Sequence, residues 1–114
     1  MASYNGKAFI EMQISSIVKQ LSELDELIIS DDGSNDGTLD TIRQFMEKDK
    51  RIKLVYGPKK GLVANFENVL KQANGEYIFL ADQDDVWEDN KVIIFKEKLK
   101  CHTLVISDCT VNDV

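Results

Sequence analysis

Cysteine and histidine are scarce here: 114 residues hold two Cys and one His. Cys101, His102 and Cys109 sit near the C-terminus and fall short of the four ligands that a structural zinc site takes. With no charged and apolar leader pattern at the N-terminus, both thiols are expected to be free and reduced. Long apolar runs are missing as well, none approaching the roughly 20 residues of a membrane span. The expected location is the cytoplasm, with any contact at the inner face of a membrane made through regions outside this chain. Positive charge is in deficit, 14 Lys and Arg against 20 Asp and Glu, for a net charge of -6. A surface that tracks nucleic-acid phosphates needs clustered Lys and Arg, so no nucleic acid is expected as a partner. Internal repeats, low-complexity segments and linkers are also lacking. The apolar content of 43% and charged content of 30% suit a globular protein, and the length suits one domain over residues 1–114.

Against that background one stretch stands out. Tyr77-Ile78-Phe79-Leu80-Ala81 is an apolar run that stops in Asp82-Gln83-Asp84-Asp85. It reads as a buried strand delivering acids to a sheet edge. Like charges crowd in this way where a metal, a shared proton or a cationic partner repays the repulsion.

The remaining chain alternates helix and strand. Residues 1–6 read as the tail of a strand entering a loop. Ile10, Ile14, Ile17, Val18 and Leu21 recur at helical spacing over about 7–22, and Leu27-Ile28-Ile29-Ser30 is a short strand. A loop dense in turn formers, residues 31–38, leads into a helix marked by Leu39, Ile42, Phe45 and Met46, with Asp36 or Thr38 as N-cap. Ile52–Tyr56 is a strand closed by Gly57-Pro58. A helix then carries Leu62, Phe66, Val69, Leu70 and Ala73 and ends at Asn74-Gly75. The strand from Glu76, a helix from Trp87 to Leu99 and a last strand over Thr103–Asp108 complete the order. Short connections between such elements imply an α/β fold, a mostly parallel sheet flanked by helices. Ligands of open parallel sheets bind beyond the carboxyl ends of the strands, where Ser3-Tyr4-Asn5, Asp31-Asp32 and Asp82–Asp85 all fall.

Several side chains there could carry chemistry. Asp82 and Asp84, two positions apart, point the same way along an extended chain and offer hard oxygens to Mg²⁺ or Mn²⁺. The bland reading is an acidic turn capping the next helix. Of Asp31 and Asp32, adjacent on a strand, only one easily faces the crevice. A carboxylate there can accept the imide N–H of a pyrimidine base, while the other acid holds the loop. Tyr4 could stack on a base, and Lys59 and Lys60 could meet a diphosphate at a helix N-terminus. Residues 32–43 also resemble a calcium loop, except that Arg43 stands where a bidentate carboxylate is required.

Taken together, Ser3-Tyr4-Asn5-Gly6, Asp31 through Thr38, Gly61 through Asn65, Gly75-Glu76-Tyr77-Ile78 and Asp82-Gln83-Asp84-Asp85-Val86-Trp87 resemble a family 2 glycosyltransferase of GT-A fold. The last motif is similar to that of bacterial enzymes building surface polysaccharide, rhamnosyltransferases among them. The resemblance implies an inverting, metal-assisted transfer of a sugar from a UDP- or dTDP-sugar to a saccharide or lipid-linked acceptor. It implies nucleotide-sugar contacts from Ser3, Tyr4, Asp32, Lys60, Asp82 and Asp85, and Mg²⁺ or Mn²⁺ at Asp84. The general base has no convincing candidate here and is expected beyond residue 114, Asp108 being read as a turn acid. The chain thus reads as the truncated, donor-binding part of a longer enzyme. Two alternatives remain: a nucleotide-sugar-binding module without catalysis, and a haloacid-dehalogenase-like phosphatase built on Asp82-x-Asp84. An open sheet edge at the short first strand further suggests a homodimer.

Overall fold

A computed structural model describes residues 1–111. The elements are β1 (Ala2–Ser3), α1 (Ile10–Val18), β2 (Leu27–Asp31), α2 (Thr38–Lys48), β3 (Ile52–Tyr56), α3 (Leu62–Gln72) and α4 (Lys91–Leu99). The three strands pair in parallel in the order β1-β2-β3. Ala2 lies opposite Ser30, and Ile29 opposite Leu54.

The central strand β2 is buried along its whole length, as a parallel strand covered on both faces must be. Leu27 and Ile29 join a core with Ile10, Ile14 and Ile17 of α1 and Ile42 of α2. On the other face Ser30 meets α3, where Asn68 Nδ2 donates to its Oγ at 2.9 Å. After β3 the chain crosses back through α3 to the far side of β1, where Asp82 makes a parallel backbone bridge with Ala2. The direction of strand addition therefore reverses at β1, the place where open α/β sheets form their crevice.

The helices have local causes. Gly6 O accepts the N–H groups of Phe9 and Ile10, so α1 starts at Ile10 and not near residue 7. The carbonyls at its end and just beyond it are met by Arg51. Arg51 donates from Nη1 to Leu21 O at 2.7 Å and from Nη2 to Val18 O at 3.3 Å, while Asp49 holds the same guanidinium. The N-cap of α2 is Gly37, at a φ of 99°, and not Asp36 or Thr38. Asp36, one residue before it, still meets the first turn, its Oδ1 accepting from Thr38 N at 3.0 Å and from Thr38 Oγ1. Helix α3 ends at Gln72, before the expected Asn74-Gly75 signal, because Ala73 already turns to extended backbone.

Three expectations fail. Glu76–Ala81 is irregular backbone, and Ile78 and Leu80 are 51% and 62% exposed. A strand needs a ladder, and β1 supplies only two residues beside it, so pairing is confined to Asp82. Phe79 is held instead by ring packing on Trp87 and Phe95, with centroids 5.8 Å apart in both pairs. Thr103–Asp108 forms no strand either; Leu104 and Ile106 are exposed, and no strand among the described residues covers them. The helix expected from Trp87 begins at Lys91, Trp87 itself being buried with its N–H on Ser16 Oγ at 3.0 Å. No helix of the described residues is long and apolar enough to cross a membrane. Cys101 and Cys109 are exposed and unbonded.

Candidate functional site

The carboxyl ends of β1 and β2 open into a cleft of about 730 Å³. Ser3, Tyr4, Asp32, Lys59, Asn65, Asp82, Gln83 and Asp84 contribute to its lining.

The adjacent acids of β2 do different work. Asp31 is 1% exposed. Its Oδ1 accepts the N–H groups of Gly33 (3.1 Å) and Ser34 (2.8 Å), and its Oδ2 the hydroxyls of Ser3 (2.8 Å) and Ser34 (2.6 Å). A carboxylate saturated in this way is a scaffold that fixes the loop after β2 against β1. Asp32, on the opposite side of the strand, lines the cleft, and its Oδ1 accepts the backbone N–H of Lys59 at 2.6 Å.

Ser3 is buried, and its carbonyl is taken by Asp32 N at 2.9 Å. Tyr4 is 56% exposed and contributes to the cleft lining. Asp82 and Asp84 line the same cleft, Asp82 beside Ala2 of β1. Burial pushes the Asp82 carboxyl above its ordinary pKa, and the neighbouring Asp85 and Asp84 carboxylates add to the effect.

Two expected residues fall elsewhere. Lys60 and Asp85 are exposed and do not line the cleft. Lys59 lines it in place of Lys60, because a positive φ of 58° at Lys59 turns the chain there. The Lys59 side chain then lies along Gly33, where an added Cβ would come within 2.9 Å of its Cε. Lys59 is the basic residue in the cleft lining.

Two further residues escaped notice in the sequence. Asn65, 1% exposed, donates to Ser30 O at 2.9 Å and Ser3 O at 3.3 Å, tying α3 to the ends of both strands. Among the described residues no donor reaches its Oδ1, which faces Gly57, where an added Cβ would lie 2.5 Å from both Asn65 Oδ1 and Asp32 Oδ1. Gln83 bonds to the backbone of Tyr4. Only the position of Asn65 inside a motif, and of Gln83 between two acids, could have marked them.

No three His, Cys, Asp or Glu side chains converge as a cation cage among the described residues. That speaks against the calcium-loop reading of residues 32–43, where Asp36 and Asp32 are instead engaged with backbone N–H groups. Asp82 and Asp84 at one rim fit a cation of another kind, one that takes one or two carboxylates and completes its shell with water and substrate phosphates. Asp108 is exposed and does not line the cleft.

The model of the family described as "Glycosyl transferase family 2" matches residues 1–112. The UDP-Glc:alpha-D-GlcNAc-diphosphoundecaprenol beta-1,3-glucosyltransferase WfgD of Escherichia coli is 39% identical over 81% of this chain and 36% of its own length. The dTDP-rhamnosyl transferase RfbG of Shigella flexneri is 32% identical over 100% of this chain and 40% of its own. The chain thus spans little more than a third of the length of these relatives. Among solved structures, S. aureus TarS 1-349 superposes with a TM-score of 0.79 at 24% identity, covering 90% of this chain and 31% of that one. Its complex with UDP-GlcNAc superposes at 0.74 with 25% identity, over 90% of this chain and 30% of that one. These likenesses agree with the α/β sheet described above and leave no place for the phosphatase reading. The chain belongs to glycosyl transferase family 2.

Proposed function

We propose that this chain binds the donor in a glycosyltransferase that moves a sugar, with inversion, from a nucleoside diphosphate sugar to a saccharide or lipid-linked acceptor of cell-surface polysaccharide synthesis. The observation that carries the reading is the meeting of Tyr4, Asp32, Lys59, Asp82 and Asp84 in one cleft at the strand ends. Asp32 has an oxygen for the imide N–H of uracil or thymine, and Tyr4 offers a ring face for the base. Ser3 supports both from beneath. Lys59 would meet the diphosphate, with Lys60 as a second cation nearby in sequence. Asp84, with Asp82, would hold Mg²⁺ or Mn²⁺, and Asp85 would support that rim. When bound, the cation supplies charge neutralisation to the diphosphate leaving group. The acceptor's proton goes to a base outside this cleft, expected beyond residue 114.

The relatives support the donor class by name, one being a UDP-glucose-dependent glucosyltransferase and another a dTDP-rhamnosyl transferase. A cytoplasmic setting, where nucleotide sugars are made, and a homodimer belong to the same proposal, but the outer side of β1 is not the open edge the sequence suggested, since Asp82 bridges Ala2 and Gln83 bonds Tyr4 there; light scattering that gave only monomer would remove the dimer.

Isothermal titration with UDP and dTDP, with and without Mn²⁺, followed by a UDP-sugar hydrolysis assay, tests the reading. Metal-dependent nucleotide binding with release of sugar supports it. Binding without release points to a donor-binding module, and no binding to either nucleotide rejects both.

A further inference from the structure

Tyr4 and Gln83 are 79 positions apart in the chain and bond like neighbours on adjacent strands. Tyr4 N donates to Gln83 Oε1 at 2.8 Å, and Gln83 Nε2 donates to Tyr4 O at 2.9 Å. A carboxamide has the donor and acceptor of a peptide group, so here a side chain takes the place of one rung of a ladder. The backbone rung before it is the Ala2–Asp82 bridge. Beyond that bridge the acidic segment turns away, and without Gln83 both polar groups of the Tyr4 peptide would lack these partners.

The local sequence accommodates the clamp. Gly6 packs against Gln83, and a Cβ at that position would collide with its Oε1. Asn5, with a positive φ of 45°, turns the chain away to the other side, where its N–H reaches Ser34 Oγ at 2.8 Å. The Tyr4–Gly6 loop is thus fastened to the loop after β2 on one flank and to the acidic turn on the other. Gln83 sits between Asp82 and Asp84 in sequence, so any shift of those acids moves the Tyr4 peptide with them.

We propose that Gln83 is a positioning residue that couples the two ends of the cleft, the Tyr4–Asp32 end and the Asp82–Asp84 end. Occupation of the acidic rim by a divalent cation then orders Tyr4, and the cation and the base each tighten the other's binding, as linkage requires. The inference rests on the donor-binding reading above.

The test compares the full chain with its Q83M form, which keeps the length and volume of the side chain and loses both bonds. UDP affinity is measured by calorimetry with and without Mn²⁺, and exchange of the Tyr4 amide is followed by NMR. The ratio of the two affinities is expected to fall about fivefold in Q83M, the weight of one net hydrogen bond. Tyr4 exchange accelerates while the Asn5 amide, held by Ser34, keeps its protection. An unchanged ratio in folded Q83M, equal Tyr4 protection in both forms, or a ratio of one in the parent chain overturns the coupling. If Q83M does not fold, Q83L carries the test: it too offers nothing to Tyr4 N or Tyr4 O and adds no charge between Asp82 and Asp84, so the ratio must still fall. A parent chain that binds no UDP or dTDP rejects the donor reading as well, whereas binding with an unchanged ratio rejects only the role of Gln83.

Discussion

Asp31 Oδ2 and Ser3 Oγ meet at 2.8 Å across the junction of β1 and β2, inside a carboxylate that also accepts from Gly33 and Ser34. Removing that acid leaves the buried Ser3 hydroxyl and the part-buried donors of Gly33 and Ser34 without this partner. D31A is expected to destabilise the fold by about 3 kcal/mol and D31N by about 1–2 kcal/mol, read from urea unfolding. S3A loses one of the four donors and is expected to cost about 1 kcal/mol. D32A, by contrast, removes a cleft acid whose protein donor is the Lys59 amide, and it is expected to weaken UDP binding far more than it lowers Tm.

Lys59 and Lys60 separate in their effects. K59A is expected to weaken nucleotide binding by about tenfold at low salt, the loss shrinking as salt rises. K60A is expected to change affinity by less than about twofold, since Lys60 does not line the cleft. Equal losses in the two variants would mean that both lysines reach the phosphates.

Two glycines beside the cleft are needed for different reasons. A Cβ at Gly57 would press on Asn65 Oδ1 and Asp32 Oδ1, both at 2.5 Å. G57A is expected to cost about 1–3 kcal/mol and to weaken UDP binding together with stability. Gly61 has open space around it but a φ of +96°. G61A is expected to cost about 1–3 kcal/mol of backbone strain, because φ 96° with ψ 176° is a conformation that essentially only glycine adopts.

Acid sensitivity follows from two carboxylates away from the cleft. The Lys53 ammonium and the Asn74 N–H hold Glu26 below its ordinary pKa of 4.5, and the Arg51 guanidinium holds Asp49 below 3.8. Groups depressed on folding contribute stability above their unfolded pKa and lose it as pH falls through the folded value. Tm is therefore expected to be insensitive to these groups near neutrality and to decline below about pH 4.5. Circular dichroism melts of E26Q and D49N should show a smaller acid decline than the parent, from a lower starting point.

Much of this architecture is legible in the residues alone. The Ile10, Ile14 and Ile17 stripe can only be one face of a helix, and Leu27–Ser30 is too apolar for anything but a strand covered on both sides. Parallel order then brings Tyr4, Asp32 and Asp82 to one edge. What the residues conceal depends on partners. Tyr77–Ala81 has the composition of a strand, but a strand exists only against a ladder, and β1 supplies two residues for one. Lys59 enters the cleft because one residue adopts a left-handed φ, which no pattern of lysines encodes. Gln83 acts by imitating a peptide group, and nothing in its spacing distinguishes that from a solvent-facing glutamine.

The bond between Tyr4 and Gln83 also bears on the order in which the molecule assembles. Helices α1 and α2 and the β2–β3 pairing can form from nearby segments, whereas the cleft closes only when residues from opposite parts of the chain find each other. Such a closure is entropically late. The binding cleft should therefore be the last part of this domain to acquire its native shape during refolding, with a nucleotide speeding nothing until that final step and then slowing its reversal.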